Sequence, residues 1–162
     1  MEDEKIQIAL RVNGEQITAS VEARMHLVDF LRSELELTGS HLGCEHGICG
    51  ACSVRLDGVV VRGCLVLAAQ CDGAEVTTIE GLTESGEISD LQERFVNRNA
   101  LQCGFCTPGM LMTAAELLER KKSVPREEIR EFMSGNFCRC TGYHAIIDAI
   151  EETMNDRRSG VQ

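Results

Sequence analysis

Eight of the nine cysteines in this 162-residue chain fall into two groups, and closely spaced thiols are the residues here best suited to do chemistry. The first group runs GCEHGICGAC with one further cysteine downstream, giving Cys44, Cys49, Cys52 and Cys64. The second runs QCGFC and, later, CRC, giving Cys103, Cys106, Cys138 and Cys140. Thiolate sulfur is a soft ligand that suits zinc and iron–sulfur centres, so two quartets predict two separate metal sites. A short chain that holds two such sites invites a role in carrying electrons between them.

Within the first quartet, Cys-x4-Cys-x2-Cys followed by a distant Cys is the plant-type ferredoxin spacing for a 2Fe–2S cluster. Three thiolates on one loop must wrap a compact inorganic core. Gly43, Gly47 and Gly50 supply the sharp turns and the backbone N–H groups that can point at an anionic cluster. Structural zinc, the alternative, favours two knuckles of paired cysteines and matches less well. His46 follows Cys44 by two residues, as in a Rieske site, yet no Cys-His pair follows downstream, so it reads as a solvated loop residue.

The second quartet is less specific. Cys103-x2-Cys106 and Cys138-x-Cys140 form two hooks, each just before a helix start at Thr107-Pro108 or Thr141-Gly142. Helix N-termini there would face the thiolates with free N–H groups, which suits iron–sulfur and zinc alike. A thioredoxin-like dithiol would need a βαβ context that the sequence lacks. Cys71 remains, between apolar Leu67–Ala69 and a turn at Asp72-Gly73, as a buried structural thiol.

The elements that must position these thiols change character midway. Residues 7–12 and 16–21 predict a hairpin around Asn13-Gly14, and 53–56 and 59–62 a second around Asp57-Gly58. Between them, His26 to Leu35 carries Leu27, Val28, Leu31 and Leu35 at helical spacing, and a last strand covers 75–79. Helices are predicted over 89–97, with a Ser89/Gln92 capping box, and from Thr107 as N-cap with Pro108 at N1. Two more cover 123–133 and 141–156, the last with Ile146, Ile147, Ile150 and Met154 on one face. The boundary falls near residues 80–86, which gives domains of 1–82 and 83–162 with one quartet each.

Bulk properties exclude several function classes. A net charge of −10 argues against nucleic-acid binding, and no apolar run is long enough to span a membrane. The opening MEDEKIQIAL lacks the basic and apolar regions of a secretory signal, so a cytoplasmic location is expected, where clustered thiols stay reduced. With no Trp and a single Tyr143, two half-size cores would each be small, and a metal staple would help to hold them.

Taken together, GCEHGICGACSV, LQCGFCTPGM and GNFCRCTGY resemble the small iron–sulfur subunit of the xanthine oxidase family of molybdenum hydroxylases. The likeness extends to carbon monoxide dehydrogenase and to dehydrogenases of aldehydes and N-heterocycles. It covers almost the whole chain. The resemblance implies an α+β fold: an N-terminal β-grasp plant-type ferredoxin domain followed by a C-terminal four-helix bundle, each holding one 2Fe–2S cluster. It implies iron–sulfur at the second quartet as well as the first. A large molybdopterin-binding subunit would lie against Gln102 and Cys140, and a medium FAD-binding subunit would face the first quartet, in a dimer of heterotrimers. Electrons would run from molybdopterin through the two clusters to FAD, with no catalytic residue in this chain. A free-standing two-cluster ferredoxin serving a separate reductase is the alternative. The substrate of the holoenzyme stays open among aldehyde, N-heterocycle and carbon monoxide.

Overall fold

The computed structural model describes residues 5–160. The first hairpin forms as predicted: β1 (Lys5–Val12) pairs antiparallel with β2 (Glu15–Glu22). Asn13 and Gly14 both take positive φ, the turn whose twist matches the flanking strands. The second hairpin, β3 (Ser53–Leu56) and β4 (Val59–Arg62), turns in the same way on Asp57 and Gly58. A short strand β5 (Glu75–Thr77) lies between the hairpins, parallel to β1 and antiparallel to β3, giving the sheet order β2-β1-β5-β3-β4. Ile8, Leu10 and Val12 alternate into the core, where they meet Val54, Val76, Leu27, Phe30 and Leu31.

The 26–35 helix is only partly α-helical. α1 (Leu27–Asp29) widens at once into a π-helical segment, Phe30–Glu34, closed by the Leu35 N–H donating to the Phe30 carbonyl. The stretch still buries Leu27, Val28, Phe30 and Leu31 on one side.

After β5 the structure departs from the sequence expectation. The last strand stops at Thr77, and Ile79–Glu84 form a helix, α2, that the sequence reading passes over. Its Ile79 and Leu82 belong to the second core rather than the first. α3 spans Ser89–Asn97 as predicted, with Leu91 and Phe95 buried, but the capping box does not form. Ser89 already lies inside the helix, and the Gln92 side chain reaches Thr83 Oγ1 at 2.9 Å instead.

α4 (Thr107–Arg120) is buried nearly all round because it packs between the β3–β4 hairpin and helices α2 and α3 and α5 (Arg126–Met133). Cys106 is its N-cap, which puts Thr107 and Pro108 one position further in than expected. Glu116 of α4, itself buried, accepts from the Val60 N–H at 3.0 Å and so covers part of the exposed edge of β4. α5 starts three residues late, since Pro125 has no N–H and holds Val124 out of the helical region. α6 runs from His144 to Ser159, after Gly142 and Tyr143 both take positive φ, so its start also comes later than predicted. Its buried face carries Ile146, Ile147, Ile150 and Met154.

Candidate metal centres

The first cysteine loop is built from left-handed turns. Glu45, Gly47 and Gly50 all have positive φ, and the backbone N–H groups of His46 and Cys49 consequently point at Cys44 Sγ, each at 3.4 Å. Those two donors, that of Cys49 first, pull the Cys44 thiol down to about 6. Gly43 is not left-handed, contrary to the sequence reasoning, but a Cβ there would stand 3.2 Å from Cys49 Sγ. His46 is exposed, and its ring nitrogen contacts the Cys44 carbonyl rather than a thiol. Cys52 and Cys64 lie deeper, buried against Val28 and Leu42. Burial pushes the Cys52 thiol up to about 11, against the Cys64 backbone N–H, which favours the thiolate.

The second site forms where three segments meet. Cys106 caps α4, and the chain ahead of α6 brings Cys138 and Cys140 against it. Cys103 and Cys140 Sγ are 3.6 Å apart and both residues are exposed. The Cys106 thiol, pushed up to about 12 by burial, lies beside Cys138. Burial alone would raise Cys138 too. The Thr141 hydroxyl at 3.0 Å, the Cys140 amide and the Thr141 N–H at 3.4 Å outweigh it and bring that thiol below its ordinary value. Tyr143, in its left-handed conformation, accepts the Cys138 N–H on its hydroxyl at 2.9 Å. The donors therefore come from a tight turn before α6, not from the helix end itself. Gln102 donates to the Cys140 carbonyl at 3.0 Å, so those two residues share one exposed ledge. Cys71 is fully buried and donates to the Leu67 carbonyl at 3.7 Å, apart from both quartets.

Within each quartet the strongest thiol–thiol interactions link Cys44 with Cys49 and Cys52 with Cys64, then Cys103 with Cys140 at 3.6 Å and Cys106 with Cys138. Two thiols per metal is the arrangement a two-iron core takes, whereas one tetrahedral zinc gathers all four sulfurs at about 2.3 Å. The buried Cys52 and the half-buried Cys106 resist ionisation on their own, and a coordinated cation is what would make thiolates of them.

The two sites also touch. The Phe137 N–H, next to Cys138, donates to the Cys49 carbonyl at 2.8 Å. On the other side of the junction His41 stacks on Phe105 with ring centroids 4.8 Å apart, and its Nδ1 meets the Phe105 carbonyl at 2.7 Å. Nothing in the spacing of the cysteines signals these contacts, which depend on how the two halves pack.

Comparison with known proteins agrees with this geometry. Residues 10–78 match the family described as "2Fe-2S iron-sulfur cluster binding domain", and residues 78–151 the "[2Fe-2S] binding domain" family. The nicotine 6-hydroxylase small subunit of Paenarthrobacter nicotinovorans is 52% identical over 91% of this chain and 88% of its own. The chain belongs to the small iron–sulfur subunits of the xanthine oxidase family of molybdenum hydroxylases. Caffeine dehydrogenase subunit gamma of Pseudomonas sp. (strain CBB1) is 50% identical over 89% of this chain and 88% of that one. Among solved structures, a chain of quinoline 2-oxidoreductase from Pseudomonas putida 86 superposes with a TM-score of 0.90 at 45% identity, covering 98% of this small subunit and 99% of that chain. The aldehyde oxidoreductase of Desulfovibrio gigas has a TM-score of 0.86 at 41% identity. There 96% of this small subunit corresponds to only 17% of a longer chain. The small subunit is accordingly the electron-transfer part of a multisubunit oxidoreductase and carries two 2Fe–2S domains. Among the described residues no helix is long and apolar enough to cross a membrane.

Proposed function

We propose that Cys44, Cys49, Cys52 and Cys64 hold one 2Fe–2S cluster and Cys103, Cys106, Cys138 and Cys140 the other. The observation that supports this assignment best is that each of the two 2Fe–2S family matches, over residues 10–78 and 78–151, contains one whole quartet, with Cys103 and Cys140 Sγ 3.6 Å apart in the second. Bound there, the clusters supply one-electron redox chemistry, tuned by burial and by hydrogen bonds to sulfur. The chain's own part is to aim donors at those sulfurs: the His46 and Cys49 amides at Cys44, and the Thr141 amide and hydroxyl at Cys138. Gly43, Gly47 and Gly50 let the first loop close around its core without a clash.

In this proposal the partners are a large molybdopterin-binding subunit and a medium FAD-binding subunit, assembled as a dimer of heterotrimers in the cytoplasm. The large subunit docks on the ledge of Gln102 and Cys140, which is flanked by exposed Leu101, Phe105, Phe137 and Tyr143. The medium subunit docks at the first loop, where Ile48 and Leu65 are 58% and 62% exposed. Apolar side chains bare beside each quartet support docking there. The first half is a β-grasp ferredoxin domain over 1–82. The second, over 83–162, is a four-helix bundle of α3 to α6. The separation of the two hydrophobic cores supports that division. Nitrogen heterocycles have the support of the nicotine and caffeine relatives as the substrate class that the large subunit takes.

Metal analysis with EPR after dithionite reduction tests the assignment. About four irons per chain and two distinct signals are expected. Stoichiometric zinc without a signal would overturn it.

A further inference from the structure

The contact between the two cysteine loops is held by a buried polar network that supplies no thiol. Asn136, only 2% exposed, lies between α5 and Cys138. Its Nδ2 donates to the Gly50 carbonyl in the first loop at 3.3 Å. Its Oδ1 accepts from Thr113 Oγ1 of α4 at 3.0 Å and from Arg62 Nη2 at 3.3 Å. The same Arg62 nitrogen donates to the Gly135 carbonyl at 2.8 Å, and Arg62 Nη1 donates to Ser53 Oγ, which in turn donates to the Gly50 carbonyl at 2.7 Å. A buried amide satisfied at both ends by fixed partners has one orientation.

Both ends of that amide bear on the direct link between the sites. One residue after Asn136, the Phe137 N–H donates to the Cys49 carbonyl, while Gly50, held by the Asn136 amide, follows Cys49. From the backbone of Cys49 to that of Cys138 the route is one hydrogen bond and one residue. Resting on the two-cluster reading above, we infer that Asn136, supported by Arg62, is a positioning residue that fixes the Cys49–Phe137 hydrogen bond and so sets the spacing and electronic coupling of the two cluster sites. It acts through backbone groups on either side. One electron lost at the site of Cys103, Cys106, Cys138 and Cys140 is gained at the other, with no bond broken and no proton exchanged.

Asn136→Asp tests this. It keeps the side chain's shape and the acceptor for Thr113 and Arg62, but sets an oxygen against the Gly50 carbonyl. The full chain, purified with the subunits that accompany it, is expected to keep its iron and both reduced-cluster EPR signals. The Phe137 amide should exchange with deuterium about 10- to 100-fold faster, the change expected for loss of one buried hydrogen bond. The magnetic splitting between the two reduced clusters should change with it. A purely structural role would instead lower protection evenly across α4 and α6 and leave the splitting alone; that result, or wild-type exchange and splitting, overturns the inference. If the Asp variant loses its iron, Thr113→Val, which removes only the donor on the α4 side, is read by the same two signals. Zinc, or no cluster signal, in the wild-type chain would count against the two-cluster reading itself.

Discussion

Gly109 sits in the first turn of α4, and its place against the first cysteine loop makes a sharp prediction. A Cβ added there would stand 2.2 Å from the Gly50 carbonyl oxygen, 3.1 Å from the Gly50 carbonyl carbon and 3.3 Å from Ala51 Cα. All three are backbone atoms, and the Gly50 carbonyl also accepts from Ser53 Oγ and Asn136 Nδ2, so it cannot swing aside cheaply. In an ordinary helix Gly→Ala stabilises by roughly 0.5–1 kcal/mol. Overpacking against fixed atoms costs about 1–3 kcal/mol, and contact this short belongs at the upper end. The net for Gly109→Ala is a loss of about 1–2 kcal/mol, or a fall of roughly 2–8 °C in Tm for a protein of this size. Thermal melts followed by circular dichroism, on wild type and variant with equal iron content, would measure it. The sign decides the matter: a Tm equal to or above that of wild type would show that α4 is not pressed on the loop.

Three further outcomes follow from other contacts. Cys49→Ser should remove the EPR signal of the first site and leave that of the second, because the Cys49 carbonyl that meets Phe137 is unchanged; loss of both signals would show that the sites do not assemble independently. The Arg157 guanidinium, bonded to both Asp90 oxygens at 2.7 Å, holds that carboxyl below the usual carboxylate range. Its contribution is therefore complete above the unfolded value of about 3.9 and fades as the pH falls through the lower folded value. Urea midpoints should put Asp90→Asn below wild type by under about 1 kcal/mol at neutral pH, since the pair is partly exposed. The gap should close in acid, and a constant gap would refute the assignment. Arg55, whose side chain is 13% exposed, lies between Glu87 and Glu119, and burial followed by Glu87 already pushes Glu119 up. Arg55→Met should cost about 1–3 kcal/mol by leaving two carboxylates face to face, with partial recovery on adding Glu119→Gln; a double-mutant cycle without coupling would count against it.

Local chemistry was legible where it acts alone. Asn13-Gly14 and Asp57-Gly58 can take positive φ in succession, so both hairpins could be read directly. The bounds of α3 followed from apolar spacing. What escaped was set by partners distant in the chain. α2 is short and carries only Ile79 and Leu82 inward, too few for a period, and it helps to cover the core beside α4. α4 shows no single apolar face because the sheet packs on one side and helices on the others. Pro125 marks the start of α5 more firmly than Ser123 does. At the proposed metal centres spacing singles out eight thiols, yet which thiol meets which depends on how Cys64 and Cys140 return to their loops. Asn136 gave no signal at all, since one asparagine before an aromatic residue looks like any exposed turn.

The parallel pairing of β1 with β5 has a consequence for how the protein is made. A parallel neighbour so far along the chain means that the sheet cannot close until residue 77 has left the ribosome. By then all four thiols of the first quartet have emerged and none of the second has. The face of the first loop that Gly109 and Asn136 later cover is still bare at that moment. During synthesis there is thus an interval in which the first loop stands open to the iron that the proposed site would take, and arrival of α4 and of the turn before α6 closes it.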